Sequence, residues 1–361
     1  MNDRARNRSE GPPGRSGRLH RLRAEALAFE HPDASLAGAF DAARERAIAP
    51  VRDEQGAAPP TRVVAFEEAA LSAFAALVIG DHDLARTRIA AIAGERAGLL
   101  TAWLIGRYYG YTGDPQAASW LRPAADALAL ADTIGIGTGG QAHHDPLLPV
   151  VARELIAIAE TTGDPDLATM VRRLAGGANP ATPVDTVLER LANVSTSAGD
   201  DGPERALNAL LGGRTNDGIA GWETLARAGR TRAREWVLPL LAAGILGIDP
   251  DAERGRLRLR LHIPAAWPRW GAGSIRMGDA AVDLHIERDD SSITISVDQV
   301  RGALPITLIL EPTVHAPVEA CLVDGQAADL ALRSFPDRVI VPVQLVLDAP
   351  RELRISLGGG E

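Results

Sequence analysis

The chain has 361 residues, 46% hydrophobic and 24% charged, which suits a folded protein with one large core or two domains. Its formal net charge of -9 excludes a general nucleic-acid binder, because phosphate contacts need a basic surface. All 38 basic residues are arginine, and Cys321 is the single cysteine. Schiff-base lysines, a P-loop, an internal disulfide and a Cys-based zinc site are therefore excluded, and no cofactor is expected.

Residues 1–18 are polar, charged and rich in Gly and Pro, so a disordered tail is expected there. They lack the apolar core of a secretory signal, and no later apolar run is long enough to span a bilayer. A cytoplasmic location and no membrane partner are the expectation. From residue 19 to 250 the pattern is helical. It predicts about twelve helices over 19–30, 34–49, 63–79, 83–93, 97–110, 115–131, 147–161, 166–175, 183–193, 203–211, 218–228 and 231–247.

Self-similar connectors separate several of these helices: Gly80-Asp81-His82-Asp83, Thr112-Gly113-Asp114-Pro115 and Thr162-Gly163-Asp164-Pro165. Each places Gly where a helix ends and Asp where the next begins, twice with Pro at the first helical position. A stack of helical hairpins follows, spaced too unevenly for a strict tandem repeat. Three polar linkers, 133–146, 193–205 and 212–223, are the places where binding residues would sit on such a scaffold.

The period then changes. Trp236 to Ile248 is nearly continuous apolar sequence, DPDAERG breaks it, and from Arg256 the pattern alternates strictly. Leu257, Leu259, Leu261 and Ile263 share one face; Arg256, Arg258, Arg260 and His262 share the other. Short alternating runs follow at 279–288, 292–297, 304–310, 317–323, 338–347 and 351–357. They predict an antiparallel β domain over 251–361, of sandwich type, that supports the helical part.

The segment GILGIDPDAERGRLRLRLHIPAAWPRWGAGSIRMGDAAVDLHIERDD resembles the C-terminal part of bacterial six-hairpin glycosidase-like proteins, including relatives of glycogen-debranching and glucoamylase-type enzymes. AWLIGRYYGYTGD (102–114) and HHDPLLPVVARELIAIAETTGD (143–164) are similar to hairpins of the same proteins. The resemblance implies an (α/α)6-type toroid, complete or reduced, followed by a β domain. It also implies an oligosaccharide or polysaccharide as partner and, in an active member, inverting hydrolysis of α-glucan-type glycosidic bonds.

Inverting hydrolysis needs two carboxylates on opposite sides of the scissile bond, one to protonate the leaving oxygen and one to activate water. By position in the resemblance, Glu223 is the candidate base and Asp145 the candidate acid or sugar ligand. Read as residues alone, Glu223 is a first-turn carboxylate favoured by the helix dipole, and Asp145 is an N-cap before Pro146. Trp222, His143, His144, Tyr108 and Trp103 are candidate substrate-binding residues, although aromatics at helical spacing are commonly core. The adjacent His143 and His144 have no evident third ligand, so no metal site is expected.

Two further readings of other kinds stand beside the hydrolase. One is a non-catalytic carbohydrate-binding or scaffold protein that kept the toroid and lost the acid. The other is an open α-solenoid interaction module joined to a β-sandwich. Oligomeric state is not legible in the sequence.

Overall fold

The computed structural model describes residues 26–48, 63–95, 98–134, 148–176, 202–211, 214–228, 235–328 and 331–358. Among these, ten helices precede a β region, and one short strand precedes them all. The helices are α1 (Ala34–Ile48), α2 (Val63–Val78), α3 (His82–Glu95), α4 (Leu99–Thr112), α5 (Ala117–Ile134), α6 (Leu148–Thr161), α7 (Pro165–Ala175), α8 (Gly202–Leu211), α9 (Thr215–Arg227) and α10 (Val237–Pro239). A π-helical turn, Leu240–Ile245, continues α10.

The connectors behave as their chemistry predicts. Gly80, Gly113 and Gly163 all have positive φ, the left-handed conformation that ends a helix. Asp81, Asp114 and Asp164 then accept hydrogen bonds from the backbone N–H groups of Leu84, Gln116 and both Asp166 and Leu167. The hairpins α2/α3, α4/α5, α6/α7 and α8/α9 follow, each packed within itself. Across hairpins, α2 packs on α4 and α4 on α6, while α3 packs on α5 and α5 on α7. Alternate helices therefore form two layers, and α4 lies in the inner one. It buries nearly every residue from Thr101 to Tyr111, as its all-round apolar sequence requires. The final segment α10 packs against both α1 and α2, so the last described helix meets the first. That closure distinguishes a toroid from an open solenoid.

Three helical expectations are corrected. Residues 19–30 were expected as a helix, yet Ala28–Glu30 form a strand, β1. Pairing with a sheet edge overrides local propensity, and Phe29 is buried among Phe40, Trp222, Trp267 and Trp270. Residues 212–223 were expected as a linker, whereas α9 begins at Thr215. The glycines that suggested a loop serve close packing. A Cβ on Gly218 would lie 2.4 Å from Leu210 Cγ, and one on Gly221 would lie 2.9 Å from Ala206 Cβ. The helix expected over 231–247 is described only from 235, and its second half is π-helical, closed by the Leu246 N–H to Leu241 carbonyl bond. The helix expected at 183–193 lies outside the described residues.

The β region holds β2 (Ile248–Asp251), β3 (Arg256–Leu259), β4 (Arg269–Met277), β5 (Ala280–Arg288), β6 (Ser292–Arg301), β7 (Thr307–Leu310) and β8 (Thr313–Val314). It continues with β9 (Val318–Val323), β10 (Gln326–Ala327), β11 (Arg333–Ser334), β12 (Val339–Ile340), β13 (Val343–Val346) and β14 (Arg351–Leu357). A seven-stranded antiparallel sheet runs β1-β4-β5-β6-β14-β9-β10. A four-stranded sheet runs β13-β7-β3-β2, and a three-stranded one β11-β12-β8. The pair β3/β7 is parallel, an exception to the antiparallel expectation. Strand β4 was not anticipated, because a bulge between Ala272 and Ile275 breaks its alternation. The inward residues of both larger sheets, among them Leu257, Leu259, Val282, Leu284, Ile293, Ile295, Leu308 and Leu353, join one hydrophobic core with the helices.

The expected boundary at 250/251 falls inside β2, and β1 belongs to the sheet although it precedes every helix. At this junction Arg107 of α4 is 2% exposed. It donates to the Ile248 carbonyl at 2.8 Å and to Asp249 at 3.3 Å. Asp249 also takes Arg260 at 2.9 Å and lies 3.9 Å from Arg258. Burial pushes the Asp249 carboxyl up, but the guanidinium groups of Arg107, Arg260 and Arg258 outweigh it and hold it below the usual carboxylate range. Two members of the arginine ladder thus face a carboxylate on the next strand.

Candidate functional site

Glu223 lies in the third turn of α9, not in a first turn or a loop. Its side chain is 22% exposed. Oε1 accepts the indole N–H of Trp267 at 2.9 Å, and Oε2 pairs with Arg227 at 3.0 Å, one turn further along the helix. Arg227 reaches on to Asp33 at 2.8 Å. Asp33 caps α1, accepting from both the backbone N–H and the hydroxyl of Ser35. The Ser35 hydroxyl, then Arg227, hold the Asp33 carboxyl far below the usual carboxylate range. Asp33 and Glu223 in turn push Arg227 upward.

His31 completes the group. Its Nδ1 accepts from the Asp33 backbone N–H at 3.0 Å, so a neutral ring carries its proton on Nε2. The ring meets Trp267 edge to face, with centroids 4.6 Å apart. Burial lowers the His31 pKa, against the opposing charges of Glu223 and Asp33. The cluster draws on β1 and its exit turn (His31, Asp33), α9 (Glu223, Arg227) and the β3–β4 connection (Trp267). Two carboxylates therefore flank one guanidinium at a half-exposed rim where the helical ring meets the seven-stranded sheet.

The other candidates lie elsewhere or deeper. Trp222 is fully buried, donates its indole N–H to the Val237 carbonyl at 3.0 Å, and packs edge-on behind Trp267 with centroids 5.8 Å apart. Trp103 is fully buried against Phe74, and Tyr108 is 2% exposed. The Tyr108 hydroxyl donates to Asp114 at 2.6 Å. Burial, then that carboxylate, pushes the Tyr108 pKa upward. These three side chains present no free face to a ligand in this conformation. Asp145, His143 and His144 lie outside the described residues. Among the described residues, no group of three or more His, Cys, Asp or Glu could hold a metal ion.

Sequence reasoning passed over Asp33, His31, Arg227 and Trp267. Arg227 was recoverable from its i, i+4 spacing to Glu223, and Asp33 as an N-cap in HPDAS. His31 was hidden by the helical reading of 19–30, and nothing local to PAAWPRW pointed Trp267 at Glu223. A concavity of about 400 Å³ lies away from this cluster on the seven-stranded sheet, lined by residues including Asp283, His285, Asp298, Asp324, Arg351 and Glu352.

No protein-family model matches this sequence, and no curated protein matches it. Solved structures do. The chain resembles an α-L-rhamnosidase structure from Dictyoglumus thermophilum with a TM-score of 0.54 at 10% identity, covering 92% of this chain and 50% of that one. It therefore spans half the length of that protein. A β-L-arabinofuranosidase from Geobacillus stearothermophilus gives 0.33 at 10% identity, over 91% of this chain and 76% of that one. The first likeness shows a shared fold, a helical toroid joined to a β region. No helix among the described residues is long and apolar enough to cross a membrane.

Proposed function

We propose that this chain is a carbohydrate-active protein of the glycosidase-like toroid class, acting on an oligosaccharide or polysaccharide through the rim around Glu223. The observation that carries the reading is the Glu223 carboxylate, partly exposed and held between the Trp267 indole and Arg227 on a fold shared with an α-L-rhamnosidase. A carboxylate with an indole N–H on one oxygen and a guanidinium on the other is placed as a hydrogen-bond acceptor. Such a group suits the base of an inverting pair rather than the acid. In the enzymatic form of the proposal Glu223 activates water, and Asp145 protonates the leaving oxygen of an α-glucan-type bond or binds a sugar hydroxyl. The reaction needs no cofactor.

Reducing-sugar release from α-glucans tests it in wild type, Glu223→Gln and Asp145→Asn. Each substitution is expected to cut turnover by about 10²–10⁴-fold, the range for losing a general acid or base. Equal background release by all three would overturn the catalytic assignment.

A second reading is favoured by two particular observations. Both Glu223 oxygens are already occupied, and Trp103, Trp222 and Tyr108 are buried instead of offering flat faces to a pyranose ring. A non-catalytic carbohydrate-binding or scaffold protein needs neither a free carboxylate nor an acid. Saturable binding of an α-glucan with no turnover, measured by calorimetry, would support it; turnover abolished by either substitution would exclude it.

A further inference from the structure

The N-terminus of α9 holds a hydrogen-bonded chain that the Glu223 reading does not use. Thr215, the first residue of α9, is 1% exposed. Its hydroxyl lies 3.0 Å from Nδ1 of His262, which follows β3, and 2.9 Å from Nε2 of His315, which follows β8. His315 Nδ1 lies 3.0 Å from the Asp337 carbonyl, in the turn between β11 and β12. His315 is exposed to solvent, whereas His262 is half-buried at the joint. The His262 backbone is fixed on both sides. Its N–H donates to the Ile245 carbonyl of the π turn, and the residue bridges to Thr313.

Donor and acceptor counting gives this chain a direction. A carbonyl only accepts, so His315 carries a proton on Nδ1. In neutral His315, Nε2 is then an acceptor and takes the Thr215 hydroxyl proton. That leaves the Thr215 oxygen to accept, and His262 must supply Nδ1–H. When His315 gains a proton at Nε2, its N–H points at the Thr215 oxygen. The hydroxyl must turn its proton to the His262 Nδ1. The step that balances passes the Thr215 hydroxyl proton to His315 Nε2 and the His262 Nδ1 proton to the Thr215 oxygen, while His262 Nε2 takes one from solvent. The net gain is the single proton on His315.

We infer that His315, Thr215 and His262 form a proton relay by which the exposed imidazole sets the tautomer of the half-buried one at the joint of the helical and β parts. One proton reverses the relay and leaves it whole. A second, on His262, would leave the Thr215 proton without an imidazole acceptor and place two imidazolium rings on one hydroxyl.

The surroundings oppose that second proton. Burial is the foremost cause, followed by His315, Arg338 and Arg260, and together they push the His262 pKa down to about 4. The positive end of α9 acts in the same direction. The acids nearby are committed elsewhere. Asp249 and Glu311 lie against Arg260, Glu311 also binds Arg333, and Asp337 pairs with Arg338. Arg214 and Asp217 of α9 are exposed, and the π turn brings no charge. The relay stands whether or not Glu223 acts on a sugar.

Imidazole nitrogen spectra of the full ¹⁵N-labelled chain, followed from about pH 8 to about pH 5 where histidines titrate, test it. Nδ1–H is expected on His262 at high pH, with conversion to Nε2–H in step with His315 protonation. In Thr215→Val that linkage should vanish. In His315→Gln the His262 tautomer should stop following pH in that range. A wild-type His262 that keeps one tautomer throughout, or one that follows His315 equally in Thr215→Val, would overturn the relay.

Discussion

Two ion-pair clusters join the helical and β parts; their central carboxylates are about equally exposed, at 27% and 22%, and the clusters differ in how deeply a guanidinium is sunk. At Asp249, one guanidinium is 2% exposed, the carboxylate is shared among three arginines, and α4, β2 and β3 are tied together. At Glu223, the Arg227 and Asp33 side chains are 46% and 39% exposed, and the contacts run along a rim. A buried charge that loses its partner cannot find another in water, whereas a half-exposed one can. The first cluster therefore acts on folding. The second is free to exchange its partners for a ligand at small cost.

Substitutions should separate them. Asp249→Asn removes the nearer carboxylate from buried Arg107, leaving Glu154 at 3.9 Å. It is expected to cost about 3 kcal/mol, the low end for breaking a buried pair, read as a fall in Tm or in denaturant midpoint. A loss as small as that of an exposed pair would mean that water already reaches the joint. Gly218→Ala pushes a methyl group into Leu210 across the α8/α9 contact and is expected to cost about 1–3 kcal/mol by overpacking. An unchanged midpoint would show that the hairpin relaxes freely.

Acid should act first through the histidines lowered by burial, His31 of the rim among them. His262 and His82 are both pushed down to about 4, in each case chiefly by burial. Their folded values lie below the ordinary value of about 6.5, so the unfolded chain binds protons first. The stability that they contribute is present above about pH 6.5 and is lost as pH falls toward 4. Asp249, also lowered, contributes above about pH 4 and is lost only below that. A Tm that falls steadily between about pH 6.5 and 4.5 checks this, and a flat profile in that window would contradict it.

The exposed part of the rim should hardly register in stability. Trp267→Phe removes the donor to Glu223 and shrinks a buried side chain, at about 1–3 kcal/mol. Arg227→Gln should cost about 0.2–1 kcal/mol, the range for exposed pairs. The proposed function predicts that both alter saccharide binding or turnover well beyond these stability effects. A loss of binding that merely tracks Tm would place the rim with the structural cluster.

The chain by itself determined the order of its elements. Period 3.6 gave way to period 2 near Asp249, and the Gly-Asp connectors marked helix ends that the structure confirms at Gly80, Gly113 and Gly163. Those signals are local: they depend on backbone preference and on which residues alternate. Tertiary structure decided what local signals cannot carry. Phe29 was drawn into a strand because its partners, Trp222, Trp267 and Trp270, lie about 190 to 240 residues away. Gly218 and Gly221 in GGRTNDGIAGWE are helical, closely packed against Leu210 and Ala206 of α8. Glu223 was legible as a candidate, but its neighbours Asp33, Arg227, His31 and Trp267 come from three segments that only the folded ring brings together. A site assembled across such distances leaves no pattern along the chain, because its geometry is a property of packing and not of spacing.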